Sequence, residues 1–329
     1  MLAFAGCRTS PPTGTAEQIR RAQPLLGTFV VISAFGTNAA LNHRAVDEAF
    51  DAVRRVDSLM SVHRADSELS RLNASAAERV VAVSEELFRV IAVAQDVAQE
   101  TDGAFDVTIR PVADLWGFIW KQHRFPSDSE LRKALASVGH RHVMLDAAQR
   151  TVRFTRPGVS IDLGGIAKGY AVDCAIDALR QRGIRDAMVR AGGDLRVMGA
   201  PPGMDAWEVR IEDPARRGKR VLIRLRDSAV STAGNYENFF IVDGRRYSHI
   251  LNPHTGLPVD GVAACSVVAA TCLESDAWST ALFVMGPKAA QARFGGRRAF
   301  RFTLMPRHET DARWPVVQSS AWSSWAGLR

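Results

Sequence analysis

The stretch that decides the fold joins a strand-like run to an amphipathic helix, and it reads Asp162-Leu163-Gly164-Gly165-Ile166-Ala167-Lys168-Gly169-Tyr170-Ala171-Val172-Asp173. The glycines let the backbone approach a ligand closely, and the helix N-terminus offers unpaired N–H groups to an anion. Lys168 adds a mobile positive charge. The turn is therefore typical of a phosphate or pyrophosphate cradle, although it matches neither G-x-G-x-x-G nor G-x-x-x-x-G-K-[ST].

Composition excludes some classes of function. The chain has 329 residues, enough for one large domain or two lobes, and its 47% hydrophobic and 23% charged residues are ordinary globular values. The formal net charge is +7, but the basic residues form short, scattered clusters. Since no basic face with interleaved aromatic residues is present, we expect no nucleic-acid partner. Anionic small molecules remain compatible with this charge.

The first residues predict a membrane anchor. Phe4-Ala5-Gly6-Cys7 places small residues before a cysteine, and a polar stretch with Pro11-Pro12 continues to Gln23. This resembles the end of a bacterial lipoprotein signal, although no basic or long apolar region precedes it. We expect residues 1–23 to be a truncated signal remnant and linker, with a lipid anchor at Cys7 on the periplasmic side of the inner membrane. The alternative is a chance cysteine near a terminus.

Helical and strand patterns alternate along the remaining chain. Apolar residues at helical spacing predict helices over residues 42–60, 85–100 (capped by Ser84), 129–138 and 275–285. Strand patterns cover residues 25–35, 187–197 (broken at 192–194) and most of 207–268, where Asp243-Gly244 marks a hairpin. Residues 61–75 are predicted as a loop and 103–118 as irregular. Helices combined with antiparallel hairpins favour an α+β fold over a doubly wound sheet.

Asp276 and Thr280 begin the last predicted helix, with Ser279 beside them. Positions i and i+4 share a helical face, so a carboxylate and a hydroxyl would project together. Hard oxygen ligands of this kind suit Mg²⁺ or Ca²⁺. Taken alone, the pattern is explained better by a capping carboxylate and a packing threonine, so a metal site here needs a partner segment.

His249 lies where a predicted strand enters a turn containing Asn252-Pro253 and Pro258. A histidine at that point could take a proton from a substrate hydroxyl, but His254 is an equally visible candidate, and surface histidines are usually structural. Phe105 could stack on a flat ring of a ligand. Taken alone, it is interpreted as a core residue.

Nine segments, in order, resemble the FAD:protein FMN transferase family, the ApbE-like flavin transferases. They are Leu26-Gly27-Thr28; Met60-Ser61 with Ser67 to Asn73; Gly103 to Thr108; Leu115 to Phe118; Asp162 to Asp173; Gly192-Gly193-Asp194; Ser231 to Gly234; Tyr247 to Gly256; and Asp276 to Gly286. Each is weak alone, but together they span most of the chain. The resemblance implies an α+β fold with mixed or antiparallel sheets and flanking helices, in a two-lobed architecture related to the T-fold. The flavin transferase domain would cover residues 24–329.

The resemblance also implies a reaction. Members of this family split the pyrophosphate of FAD and place FMN on a threonine or serine of an acceptor flavoprotein through a phosphoester bond, releasing AMP. By resemblance, the FAD substrate is bound by Leu26, His63, Ala104, Phe105, Asp106, Asp162, Lys168 and Ile250. The metal, Mg²⁺ or Ca²⁺, takes the carbonyl of Gly165 and the side chains of Asp276 and Thr280, with Ser279 adjacent. His249 matches the histidine that assists the attacking hydroxyl.

Departures from the family pattern concern flavin affinity rather than the reaction. His63 stands where a tyrosine or larger aromatic residue is usual, and Leu26 replaces a common methionine. Two alternative functions share the same segments. One is an FAD pyrophosphatase, in which water replaces the acceptor hydroxyl. The other is a flavin-binding lipoprotein without catalysis, which would leave FAD intact in the presence of Mg²⁺.

Overall fold

The computed structural model describes residues 16–214, 220–305 and 314–322, so Cys7 and its signal-like segment lie outside the described residues. The strands in these ranges are β1 (Glu17–Leu25), β2 (Thr28–Gly36), β3 (Val81–Ala82), β4 (Val143–Asp146), β5 (Thr151–Phe154), β6 (Asp186–Ala191), β7 (Asp194–Met198), β8 (Trp207–Glu212), β9 (Arg220–Leu225), β10 (Ala229–Gly234), β11 (Phe239–Val242), β12 (Arg245–Ser248), β13 (Val262–Ala269), β14 (Ala299–Leu304) and β15 (Val316–Gln318). The α-helices are α1 (Ala39–Met60), α2 (Glu68–Ser75), α3 (Glu85–Glu100), α4 (Arg110–Trp116), α5 (Asp128–Leu135), α6 (Ala167–Gln181) and α7 (Cys272–Phe294).

One large antiparallel sheet organises the fold. Its eight strands follow the order β1-β2-β6-β7-β10-β13-β14-β15, and each neighbouring pair is antiparallel. Three smaller antiparallel sheets, β3-β5-β4, β8-β9 and β11-β12, lie outside it. The predicted α+β class with antiparallel sheets and flanking helices is confirmed.

The first hairpin begins within the segment predicted as a linker. β1 and β2 pair from Glu17 and Gly36 to Leu25 and Thr28, and Leu26 and Gly27 form the turn with φ values of 56° and 69°. The polar composition of residues 17–23 predicts a linker, whereas the structure has a strand there. As an edge strand it pairs with β2 on one side and contacts α1 through side chains: Arg21 donates to Asp47 of α1 at 2.6 Å, and Gln23 accepts a bond from Arg54.

Three helices bury one face of the large sheet. α1 packs along β1, β2 and α6, while α6 and α7 pack on the strands at the sheet centre. Val53 of α1, Ile176 of α6 and Trp278 of α7 are fully buried there, each contributing about 1.5–3 kcal/mol relative to exposure. The opposite face is covered by the β8-β9 hairpin in a second apolar cluster. Side chains of β7 therefore alternate between this cluster and the helices.

Helices were predicted correctly where apolar residues recur at helical spacing over many residues. α3 has the predicted bounds and the predicted cap, since Ser84 Oγ accepts a bond from the Leu87 N–H. The predicted loop over residues 61–75 is wrong: Ser67 caps α2, a helix with only two buried apolar residues. α4 lies in the segment predicted as irregular and begins at Arg110-Pro111, where proline fits a first turn. Among the described residues, no helix has the length and apolarity needed to cross a membrane.

Candidate active site

The turn before α6 is ordered by Asp162. Its Oδ1 accepts a bond from the Gly164 N–H at 2.7 Å, and its own N–H donates to the Val107 carbonyl. Ile166, at the start of α6, provides no side-chain cap. The first turn of α6 is capped instead from the far end of the chain, because the Gly169 N–H donates to Asp276 Oδ2 of α7 at 2.9 Å.

The capping is reciprocal. Asp173 of α6 accepts bonds from the N–H groups of Cys272 and Leu273, the first residues of α7, both at 2.9 Å. Arg196 of β7 holds the same carboxylate at 2.7 Å. Each helix therefore supplies the carboxylate that satisfies the other's N-terminus, where a negative charge is favourable. We call the two bonds from α7 to Asp173 and the Gly169–Asp276 bond the reciprocal caps.

Lys168 is held by two carboxylates. Its Nζ lies 3.1 Å from Asp194 Oδ2 and 3.6 Å from Asp276 Oδ2, and it donates to the Gly164 carbonyl at 3.0 Å. Burial opposes the charge, but the two carboxylates outweigh burial and raise the pKa of Lys168. Lys168 was expected to be mobile, but these contacts fix its ammonium group in place. It stays protonated throughout the neutral pH range.

Asp276 is nearly inaccessible, with 3% of its surface exposed. Burial and the charge of Asp194 raise its pKa to about 7, against the opposing effects of Lys168 and the Gly169 N–H. Two carboxylates share one lysine here, so the cluster holds more negative charge than Lys168 neutralises. A site of this kind favours an additional cation.

The donor set around Asp276 fits a hard divalent cation. Thr280 lies one helical turn after Asp276, and its hydroxyl makes no side-chain hydrogen bond within the described chain. A Cβ built on Gly165 would lie 3.4 Å from that Oγ1, so the Gly165 backbone adjoins the hydroxyl. Carboxylate, hydroxyl and backbone carbonyl oxygens suit Mg²⁺ or Ca²⁺. Ser279 differs, since its buried hydroxyl donates to the Asp276 carbonyl at 2.9 Å.

A cavity of about 990 Å³ opens beside this cluster. It lies between the β1–β2 turn, the residues after α1 and the start of α6, and four predicted FAD-binding residues line it: Leu26, His63, Asp162 and Lys168. Its size suits a large organic ligand. The ring of Trp120, which is 52% exposed, stands perpendicular to His63 with 5.4 Å between ring centroids.

The other predicted FAD residues do not line this cavity. Phe105 and Ala104 are buried, and the Phe105 ring adjoins Gly165. Asp106 uses its carboxylate to order its own loop, accepting bonds from the Thr108 N–H and hydroxyl and from the His140 N–H. Ile250 is buried directly after His249.

His249 follows β12 and is oriented by one carbonyl. Its backbone N–H donates to Asn238 O at 2.9 Å, and its Nδ1 lies 3.0 Å from the same oxygen. Because a carbonyl only accepts, Nδ1 carries the proton and Nε2 keeps its lone pair. Burial of the packed side of the ring lowers the pKa of His249, the Asn238 bond opposes this, and the charge of Lys168 adds to it. The residue as a whole is exposed to solvent.

Sequence reasoning missed Asp194 as a partner of Lys168 and Trp120 as the ring beside His63. Asp194 lies in the Gly192-Gly193-Asp194 turn between β6 and β7, where it is buried against Lys168. A carboxylate after two glycines at a strand start was a usable signal for it. Trp120 ends the apolar run from Leu115 to Trp120, so no local pattern marked its ring as exposed.

Comparison with known proteins gives one consistent result. The model of the ApbE family matches residues 26–299. The chain is 34% identical over 298 residues to an FAD:protein FMN transferase of Vibrio cholerae, covering 89% of this chain and 87% of that protein. It is 31% identical to the FAD:protein FMN transferase of Escherichia coli strain K12, covering 88% and 86%. Among solved structures, the flavin transferase ApbE of Vibrio cholerae superposes with a TM-score of 0.85 at 31% identity, covering 94% of this chain and all of that one.

Proposed function

This chain belongs to the ApbE family, and from that membership we propose that it transfers FMN from FAD to an acceptor flavoprotein. The observation that carries the proposal is the convergence of Lys168, Asp276 and Thr280 beside a cavity large enough for a dinucleotide. Phosphoryl transfer needs positioning and charge neutralisation more than covalent help from the protein. These residues supply both.

In the proposed reaction, the acceptor is a threonine or serine hydroxyl. Its oxygen attacks the phosphorus of the FMN half of FAD, and the bond from that phosphorus to the bridging oxygen breaks. AMP leaves with the bridging oxygen, and FMN stays on the acceptor as a phosphoester. The hydroxyl proton passes to Nε2 of His249, which is free because Nδ1 donates to Asn238.

The remaining residues orient the pyrophosphate and screen its charge. Lys168 presents a permanent cation at the cavity wall, and the Gly164-Gly165 turn lets phosphate oxygens approach the backbone. Asp276, Thr280 and the Gly165 carbonyl would hold Mg²⁺, which neutralises negative charge on phosphate oxygens when bound. The ion pair with Asp194 keeps the Lys168 side chain extended toward the pyrophosphate.

Acceptor mass tests the proposal. The chain is incubated with FAD, Mg²⁺ and a purified, flavin-free flavoprotein that the Vibrio cholerae enzyme labels. We expect the acceptor to gain the mass of FMN less one water, with one AMP released per label. The same acceptor with its target threonine replaced by valine should gain nothing. FMN and AMP released equally fast without acceptor would identify a pyrophosphatase, and intact FAD would identify a carrier.

His249 sets the expected pH dependence. A lowered pKa keeps the imidazole neutral through the neutral range, so kcat/KM at saturating Mg²⁺ should stay level from pH 8 to about pH 6.5 and fall only below. His249→Gln should lower transfer by about a hundredfold or more and remove this acid limb. FAD affinity should not change. A limb that persists in the variant would assign the titration to another group.

Trp120 is expected to supply the ring surface that His63 offers only in part. Trp120→Ala should weaken FAD binding about tenfold, since aromatic stacking contributes roughly 0.5–1.5 kcal/mol beyond area burial. Trp120→Phe should retain most of the affinity, and Met144→Ala, at another exposed apolar residue, should retain all of it. Titration of flavin fluorescence measures these affinities. Equal affinity of Trp120→Ala and the wild type would exclude the contact.

We also propose that the protein acts on the periplasmic side of the bacterial inner membrane, anchored through a lipid on Cys7. The Phe4-Ala5-Gly6-Cys7 segment and the polar stretch behind it support this. When the chain is expressed behind a lipoprotein signal, Cys7→Ser should move it from the membrane fraction to the soluble periplasmic fraction. Unchanged fractionation would contradict the anchor.

A further inference from the structure

The β11–β12 hairpin ends at His249 and forms a sheet of its own. β11 pairs only with β12 within the described residues, in a register from Phe239 and Ser248 to Val242 and Arg245. Asp243 and Gly244 form the turn, with φ values of 50° and 75°. Such a two-stranded sheet leaves both outer edges without strand partners.

The backbone groups at those edges follow from the register. Because the His249 N–H donates to Asn238 O, that pair is hydrogen-bonded, and the bonded pairs recur at every second position toward the turn. The N–H and C=O groups of Phe239 and Ile241 therefore point outward from β11, and those of Arg246 and Ser248 point outward from β12. In the described chain, none of these groups has a hydrogen-bond partner.

The two edges differ in access. Of the outward-pointing residues, β12 offers the buried Ser248 (2% exposed) and the exposed, charged Arg246, whereas β11 offers Ile241 (59% exposed) and the half-buried Phe239. β11 thus presents an open edge with apolar side chains and none of the lysines or prolines that commonly protect an edge. The inner face of the hairpin is anchored, since Phe240 and Tyr247 pack on Trp116 and Phe125. The edge is therefore both accessible and held in place.

We propose that the β11 edge docks the acceptor protein, whose extended segment adds as a third strand and delivers its hydroxyl to His249. The proposal rests on the proposed function, which requires an acceptor hydroxyl at this histidine. An added strand would run about 4.8 Å from β11, alongside Asn238, whose carbonyl holds the imidazole. Main-chain bonds would supply affinity, with Ile241 as an apolar contact.

Ile241→Pro tests the docking edge specifically. Proline removes the outward N–H of residue 241, and it is tolerated at an edge strand whose N–H faces solvent. We expect kcat/KM for the flavin-free acceptor to fall at least tenfold, while the Kd for FAD stays within twofold. Ile241→Val keeps the N–H and should retain wild-type transfer. Equal transfer by Ile241→Pro and the wild type would overturn the proposal, as would an equal loss of FAD affinity.

Amide hydrogen exchange gives a second readout that needs no variant. The Phe239 and Ile241 amides of the wild-type chain should become protected when the flavin-free acceptor is added. No protection would overturn the proposal, and protection that appears with rising concentration of this chain alone would assign the edge to a second copy. If the wild-type chain labels no acceptor, the proposed function is wrong. If it labels the acceptor without using this edge, only the proposed docking site is wrong.

Discussion

Asp276→Asn is expected to abolish flavin transfer and leave the protein folded. Asparagine retains the shape of the side chain and an oxygen to accept the Gly169 N–H, but it lacks the charge that a divalent cation requires. We expect kcat to fall about a thousandfold or more, equivalent to roughly 4 kcal/mol of transition-state stabilisation. Stability should hardly change, because burial and Asp194 already disfavour the charged carboxylate, as its raised pKa of about 7 indicates.

The decisive comparison uses a chelator. EDTA should reduce wild-type transfer to the level of Asp276→Asn and cause no further loss in the variant, and excess Mg²⁺ should restore only the wild type. Asp177→Asn, at an exposed carboxylate on α6, is the matched control and should transfer normally. If Asp276→Asn retains a tenth of wild-type activity, Asp276 is not a metal ligand.

Gly169→Ala is expected to destabilise the protein, against the usual helix preference. Alanine favours a helix over glycine by about 1 kcal/mol. Here its Cβ would overlap the Cys272 carbonyl oxygen and lie 2.8 Å from the Asp276 Cβ, so α6 and α7 must separate. Overpacking costs about 1–3 kcal/mol, and leaving the buried Gly169 N–H and Asp276 unpaired costs about 1–3 kcal/mol more. The net effect is roughly 3 kcal/mol, or about 4–5 °C in Tm for a chain of this length.

Calorimetry checks this value, with Gly296→Ala as control. Gly296 has open space around its Cβ position and no positive φ, so alanine should be neutral or slightly stabilising there. We expect Gly169→Ala to lose transfer together with stability, since the same shift moves Asp276. A Tm equal to the wild type would mean that the two helices are not in the contact described.

The fold was predictable where one element's own residues decide its structure. α3 could be placed to the residue because its apolar period spans four turns behind a serine cap, and the Asp243-Gly244 hairpin because its turn requires positive φ. β1 was missed because it is an edge strand joined to α1 by an ion pair and a hydrogen bond, which have no local signature. α2 was missed because tertiary packing of two leucines, rather than a long period, stabilises it.

The candidate site was also predictable only where local sequence decides the geometry. The shared face of Asp276 and Thr280 follows from helical geometry alone, but their approach to Gly165 depends on tertiary structure and was reached only through resemblance. The Lys168–Asp194 ion pair joins a helix to a strand, so no spacing rule could have indicated it. The roles predicted for the thirteen site residues remain predictions. The side chains of Asp106 and Ser279 already form hydrogen bonds within the fold.

The reciprocal caps have a consequence for the order in which the chain can become active. They join residues 99 to 107 positions apart, contacts that form late because long loops must close first. During synthesis from the N-terminus, α6 emerges well before α7, so its first turn stays uncapped and the pyrophosphate site incomplete. On the proposed roles of Asp276 and Thr280, a nascent or truncated chain that ends before Thr280 would lack catalytic competence. Activity would then be delayed until α7 has docked, and the chain would not consume FAD while it is still folding.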